Sequence, residues 1–467
     1  MVPPTSSTEK APAQFDWPLA YEAEQLLRRF LGAFLDRNRF ARRLAERMRD
    51  ETGTDFYEWV DHLVISSEHA AELDAVGLVL DKVHAPYSTV VLHHPKAMMP
   101  RVVLRLGSDS VGVPTVVALR PESVADFLSR HDVVAPIQGD FGSRFRRALV
   151  AEEQGTRLEV VERLGWRGLV PEAPREGFTA AVVKARELWH MRKRDFSDDA
   201  EGVKHAFVVL AQVLALVPRD VACELFFAEE RVFWEFRNRA GRIQKRRQDT
   251  LGLGWGNHDH HTFRCSRPLF PDLIEFLSRL GLEKRERYYA GEEAGWGAQI
   301  MEAPEVGIVV FADVDLKPGE IDIDFAKERL PALPALRTVG LWCALHGDSF
   351  LQAGMHHLEA RFDFVRLRDQ LGAEGVVTMK PFSDFTFLKQ AFTEGERWPV
   401  RPERVTGLLQ SGLITPPQAE IFLKDGALGS HLENLQRKGG FKGFNQKAVS
   451  AIIAATDPRL APAAHPA

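Results

Sequence analysis

The sequence predicts an α+β protein in which paired β-α-β-β-β modules form a cupped sheet, flanked by helical segments. Three observations carry this expectation. Short β-branched runs bounded by Gly, Pro and Asp alternate with amphipathic helical stretches. One passage reads strand, helix, strand, strand, strand in succession: His260 to Cys265, Pro271 to Leu280, Leu282 to Ala290, Trp296 to Glu302 and Gly307 to Val314. The strand entrance Asp259-His260 is echoed by Asp61-His62, and each leads into a helix and then a glycine, Gly281 or Gly77, as in a weak internal repeat.

Residues 1–55 read as a polar leader and helices, because Leu26, Leu27, Phe30, Leu31, Phe34 and Leu35 recur at helical spacing within Tyr21 to Glu51. Residues 56–175 form a first α/β module. Its strands are Trp59 to Ser66, Thr89 to His93, Arg101 to Leu106, Thr115 to Leu119 and Arg157 to Val161, with a helix at Glu122 to Arg130. Residues 176–250 read as a helical insertion. There Val203 to Val217 is strongly apolar, Pro218 punctuates, and Asp220 to Gln248 continues as one long helix. The basic run Arg237 to Arg247 at its end is expected to be a solvated helix end. Residues 251–330 hold the second module, with Gly281 as helix C-cap. Residues 331–400 are an α/β extension completing the sheet, and 401–467 a helical tail frayed from Asp457. The glycine-bearing stretch Lys438 to Phe444 reads as a mobile turn, with closure over a site as the other reading.

Composition narrows the function classes. The 467 residues carry 60 Lys plus Arg against 65 Asp plus Glu, a net charge of −5 that argues against nucleic acid as a partner. With 45% apolar and 27% charged residues the chain is of ordinary globular type. No run of eighteen apolar residues suits a membrane span, and the N-terminus lacks the apolar core of a secretion signal. Cys223, Cys265 and Cys343 are too far apart for a CxxC zinc module and too few for a disulfide scaffold, so a cytoplasmic protein is expected. HExxH, GxxxxGK[ST] and GxSxG are all absent, and the glycines at 252, 254 and 256 lack the flanking strand and helix of a dinucleotide site.

The densest chemical signal is Gly254-Trp-Gly-Asn-His-Asp-His-His-Thr-Phe-Arg264. Residues two apart on a strand share a face, so His260, Thr262 and Arg264 project together and His261, Phe263 and Cys265 oppositely. An imidazole beside a guanidinium suits a site holding a metal and an anionic substrate. A hydrogen-bonded knot of Asp259 and its histidines at a strand end is the other reading. Neighbouring histidines face opposite sides, so the doublets His93-His94 and His356-His357 read as surface or packing residues. If the two repeat copies pack pseudo-symmetrically, His62 and His260 meet at one centre. Two histidines and one carboxylate would leave open positions on a metal. The expected acid is Glu302, at the end of an otherwise neutral strand, with Glu159, Glu162 and Asp313 as alternatives.

These Asp-His entrances and the β-α-β-β-β unit resemble the vicinal oxygen chelate superfamily, whose members pair such modules around one divalent metal. The plan of the chain is similar, more specifically, to the bacterial 2-oxoadipate dioxygenase/decarboxylase family. That resemblance implies non-haem Fe(II) held by His62, His260 and Glu302, although these ligand types suit Mn or Zn as well. It also implies a small 2-oxo acid and O2 as substrates, converted to a 2-hydroxy acid and CO2. Arg264 would pair with a substrate carboxylate, with Gln299 beside it and Trp296 and Ser383 as walls. In that family the first histidine is followed four positions later by a substrate-binding arginine. Here that place is Ser66, and the arginine instead follows the second histidine as Arg264. Two other readings remain: a metal-dependent isomerase or lyase that does not use O2, and a non-catalytic ligand-binding protein.

Overall fold

The computed structural model describes residues 17–83, 85–86, 89–106, 112–171, 175–292, 294–445 and 456–459. Two helices open the fold, α1 (Tyr21–Arg37) and α2 (Arg39–Arg47). Asn38 separates them, and its side chain accepts from Ala41 N to cap the second. The predicted apolar stripe of α1 is buried in the same core as the strands that follow.

Those strands and their helices form two modules. The first comprises β1 (Val60–Ser66), α3 (Ala70–Ala75), β2 (Val79–Leu80), β3 (Thr89–His93) and β4 (Arg101–Arg105). The second comprises β5 (Val116–Leu119), α4 (Val124–Arg130), β6 (Phe145–Glu153) and β7 (Thr156–Arg163). They join in one seven-stranded sheet of order β2-β3-β4-β1-β5-β7-β6. Each module ends on a strand parallel to its first, β4 to β1 and β7 to β5, while β1 and β5 meet antiparallel.

Four helices then intervene: α5 (Phe178–His190), α6 (Asp199–Leu216), α7 (Arg219–Phe236) and α8 (Arg239–Asp249). The long helix expected over Asp220 to Gln248 is two helices. Asn238 adopts an extended conformation and caps α8 by accepting from Gly241 N, which breaks the run.

The second sheet repeats the plan. Its third module is β8 (His258–Arg264), α9 (Phe270–Arg279), β9 (Glu283–Tyr289), β10 (Trp296–Ala303) and β11 (Ile308–Asp315). After α10 (Thr338–His346) comes a fourth: β12 (His357–Arg361), α11 (Phe364–Ala373), β13 (Ser383–Asp384), β14 (Leu388–Phe392) and, later, β16 (Ala427–Arg437). Between β14 and β16 lie β15 (Glu396–Trp398), α12 (Pro402–Gln410) and α13 (Pro416–Asp425). The strand order is β13-β14-β16-β12-β8-β11-β10-β9, with β15 against β16. Again each module closes parallel, β11 on β8 and β16 on β12, and the first strands β8 and β12 meet antiparallel.

The expected α+β architecture of paired modules is therefore present, with two corrections. Segment 401–467, read as a helical tail, contains β16, an eleven-residue strand inside the second sheet. The two echoing Asp-His strands do not pair with each other, because each is hydrogen-bonded to the first strand of the module that follows it. The repeat itself is visible in the backbone, since Gly77 and Gly281, with φ of 90° and 95°, end α3 and α9 in the left-handed region that glycine adopts without strain.

The outer face of β8 packs on the helical insertion. His261 and Phe263 pack at tilted angles against Phe227 and Phe226 of α7, and Cys265 joins the same core. Each buried aromatic contributes roughly 1.5–3 kcal/mol, so the helices fix β8 from behind and turn His260, Thr262 and Arg264 to the opposite face.

Candidate metal centre

On that face three strands bring their polar residues together. Across the β8–β12 pair His260 stands opposite Glu359 and Thr262 opposite His357. Across the β12–β16 pair Glu359 stands opposite Glu433 and His357 opposite His431. His260, His357 and Glu433 each offer a ligand atom within 4.8 Å of the others, and all three are buried. Asp259, His260 and Glu359 form a second such group.

Hydrogen bonding separates the two groups. Both carboxylate oxygens of Asp259 accept from Arg437, at 2.9 and 3.1 Å. Asp259 also contacts His260 Nδ1 at 3.3 Å, which leaves His260 Nε2 to face the cluster. Asp259 is thus a positioning residue for His260, as carboxylates behind metal-binding histidines commonly are. Burial opposes its ionisation, but Arg437 outweighs burial and holds its carboxyl well below the usual range. Gln390 Nε2 donates to Glu359 at 3.0 Å and to Glu433 at 2.9 Å, tying the two acids together. Glu359 also abuts His260 Nε2 closely.

Burial dominates the electrostatics of the cluster. Burial raises the Glu433 carboxyl to about 7, and burial beside Glu433 drives Glu359 well above its usual value. Burial also lowers His260 and holds His357 at about 3, so both imidazoles are neutral bases. Glu359 Oε2 is the atom that meets His260 Nε2, and His357 Nε2 lies 2.9 Å from Thr262 Oγ1 and 3.2 Å from Glu433 Oε2. Neutral nitrogen donors beside clustered carboxylates fit a divalent metal, whose charge would offset the cost of burying the acids.

The cluster opens on a cavity of about 80 Å3 whose wall includes Arg264, Trp296, Phe311, Asp313 and Phe392. Arg264 is 2% exposed, and its Nε and Nη1 have no partner among the described residues. Its Nη2 donates to Thr456 Oγ1 at 3.3 Å. Asp313 stands opposite Arg264 in the β8–β11 register. Burial raises its carboxyl to about 8 despite that guanidinium, so it is protonated near neutrality.

Of the three residues expected to ligate, only His260 joins this cluster. His62 lies on β1 in the first sheet, its Nδ1 2.7 Å from Asp61 Oδ2. Glu302 sits at the far end of β10 and is paired with Lys442 at 2.7 Å and Arg285 at 3.5 Å. Among the alternatives, Glu159 is on the first sheet beside Arg157, Glu162 pairs with Arg146, and Asp313 lines the cavity without belonging to either ligand group. Arg264 and Trp296 line the cavity as well. Gln299 instead donates to the Glu286 and Ile300 carbonyls, and the Ser383 hydroxyl donates to the Leu388 carbonyl. His357, set aside above as a packing residue, and Glu433 are the members of the candidate ligand group that sequence reasoning missed. A signal for both was present: His-Leu-Glu occurs at 357–359 and again at 431–433, and the two copies lie side by side in register.

No protein-family model matches the chain, and no curated protein does. Solved structures do match. A triple mutant of 4-hydroxymandelate synthase from Streptomyces coelicolor is 14% identical, covers 86% of this chain and 98% of its own, and has a TM-score of 0.30. Methylmalonyl-CoA epimerase from Mycobacterium tuberculosis is 12% identical over 39% of this chain and 88% of its own, with a TM-score of 0.22. Glyoxalase I from Zea mays is 15% identical over 22% of this chain and 43% of its own, with a TM-score of 0.18. The module order and register described above stand on this chain's own strand pairing.

Proposed function

We propose that the chain is a mononuclear metal enzyme of the vicinal oxygen chelate type, with His260, His357 and Glu433 as the ligands. The reading favoured is an Fe(II)-dependent dioxygenase acting on a small 2-oxo acid. The observation that carries it is the convergence of two neutral imidazoles and one carboxylate, beside a buried arginine whose Nε and Nη1 are unpaired. Three ligands on one side leave coordination positions open, the pattern of non-haem iron oxygenases. Fe(II) bound there would supply O2 activation and substrate chelation.

The remaining chemistry belongs to the chain's own groups. Arg264 lies four residues beyond His260, the spacing that the oxoadipate-enzyme resemblance asks of a ligand histidine and its substrate-binding arginine. Its unpaired Nε and Nη1 would donate to a substrate carboxylate in charge-assisted bonds and fix its distance from the ligands. Asp313, protonated, can donate a hydrogen bond to a neighbouring substrate oxygen. Phe311, Phe382, Phe392 and Phe444 line the same cavity and make much of its wall apolar.

The test is oxygen uptake by the iron-loaded protein across a panel of 2-oxo acids, with CO2 release measured in parallel. Coupled O2 consumption and CO2 release, lost in His357→Ala, supports the reading. Turnover under strict anaerobiosis would replace it with metal-assisted isomerase or lyase chemistry.

A further inference from the structure

The two sheets share one plan, so register assigns every position of the metal-binding face a counterpart on the first sheet. Ala118 stands opposite His62 as Glu359 stands opposite His260, and Glu159 stands opposite Ala118 as Glu433 stands opposite Glu359. His62 and Glu159 therefore hold the places of His260 and Glu433. The other places have changed. Two residues back along β5, Val116 replaces His357, and its neighbour Arg157 replaces His431. Leu149 faces Glu159 as Phe392 faces Glu433, which puts Arg147 in the place of Gln390. At the strand ends Ser66 faces Arg105, where Arg264 faces Asp313.

Ser66 removes the guanidinium of Arg264, while the other changes remove metal-ligand types or add positive charge. One imidazole ligand is lost to an aliphatic residue, and an amide, an imidazole and a carboxylate have each become a guanidinium. Arg105, Arg147 and Arg157 line a single cavity of about 750 Å3 with His62, Val116 and Glu159. Glu159 is 3.6 Å from Arg157 and 4.0 Å from Arg147, so cationic side chains stand where the second sheet would place its metal. Arg157 also reaches Glu152, at 3.9 Å, leaving three guanidinium groups against two carboxylates. Arg147 Nε donates to Gln138 Oε1 at 2.7 Å, which leaves its Nη groups, like the half-exposed Arg157 with its long ion pairs, able to turn toward a ligand at little cost.

We propose that this first-sheet cavity is a second ligand site, charge-inverted from the metal site, that takes a small anion carrying a carboxylate or phosphate group. Arg105, Arg147 and Arg157 bind the anion, and His62 Nε2, left over once Nδ1 has taken Asp61, contributes a polar contact. The same argument excludes a divalent cation from this face.

The experiment is calorimetric titration of the full chain with glutarate and, separately, with inorganic phosphate. It is done after chelation and on an Arg264→Met background, so that the metal face contributes nothing. One equivalent of either probe is expected to bind, and the better of the two identifies the anion class. Affinity should fall by about tenfold or more in Arg147→Gln and in Arg157→Gln, and stay unchanged in His357→Ala. Arg105→Gln, at an exposed position, gives the same result without risk to folding. Absence of binding by both probes at about 10 mM, or binding insensitive to all three arginine variants, overturns the proposal.

Discussion

Replacing Glu433 with Gln should stabilise the metal-free protein while abolishing its response to metal. The substitution keeps the side chain's size and its acceptor toward Gln390, but removes one of two adjoining buried charges. The Glu433 carboxyl is held at about 7 in the fold against an ordinary 4.5. Each unit of such a shift is worth 1.36 kcal/mol, so the ionised group costs the fold about 3 kcal/mol. For an acid whose value is raised by folding, that cost is absent below about pH 4.5, grows up to about 7 and is fully present at pH 8. Metal binding acts in the other direction, and at 100 times its dissociation constant a ligand adds about 2.7 kcal/mol. Urea unfolding at pH 8, with chelator and with Mn(II), measures both effects. Wild type should gain stability on adding metal. Glu433→Gln should start higher in chelator by a few kcal/mol and gain nothing. A variant less stable than wild type in chelator, or one still stabilised by metal, refutes the assignment of Glu433 as a ligand compensated by a cation.

Three further outcomes follow from the same geometry. Arg264→Met should raise KM for a carboxylate substrate by about 100-fold, as loss of a buried charge-assisted pair implies, with metal content unchanged by elemental analysis. Asp313, raised by burial to about 8 from 3.8, should make the chelated protein lose stability as pH rises from about 4 to 8. Asp313→Asn should flatten that part of the urea-midpoint profile. Phe263→Ala, behind the metal face, should cost about 3–5 kcal/mol in unfolding free energy through the cavity it leaves against Phe226 and Phe227.

How much of this was legible beforehand depends on how local each signal is. The third module could be read directly because its strands and helix follow one another without interruption and Gly281 marks the turn. The strand face shared by His260, Thr262 and Arg264 followed from period-two alternation alone. The fourth module was hidden, since β15, α12 and α13 separate β14 from its closing strand. That strand is buried on both faces and carries His431, Glu433 and Asn434, so it lacks the apolar-polar alternation that marks a half-buried strand. His357 suffered from the same rule that served His260. Because neighbours on a strand point apart, a histidine doublet looked unable to bind metal, yet one member of each doublet, His260 and His357, reaches the site from its own strand. The pairing of β1 with β5 and of β8 with β12 is a long-range choice that neither Asp-His entrance encodes locally. For that reason the echo between them suggested a shared centre where the chain builds two separate faces.

Elemental analysis of protein purified without added metal or chelator, repeated on His357→Ala and on His62→Ala, tests the central assignment most directly. One equivalent of a first-row metal in wild type and in His62→Ala, with a loss to near zero in His357→Ala, is the expected result. Full metal content in His357→Ala, or its loss in His62→Ala, would contradict it.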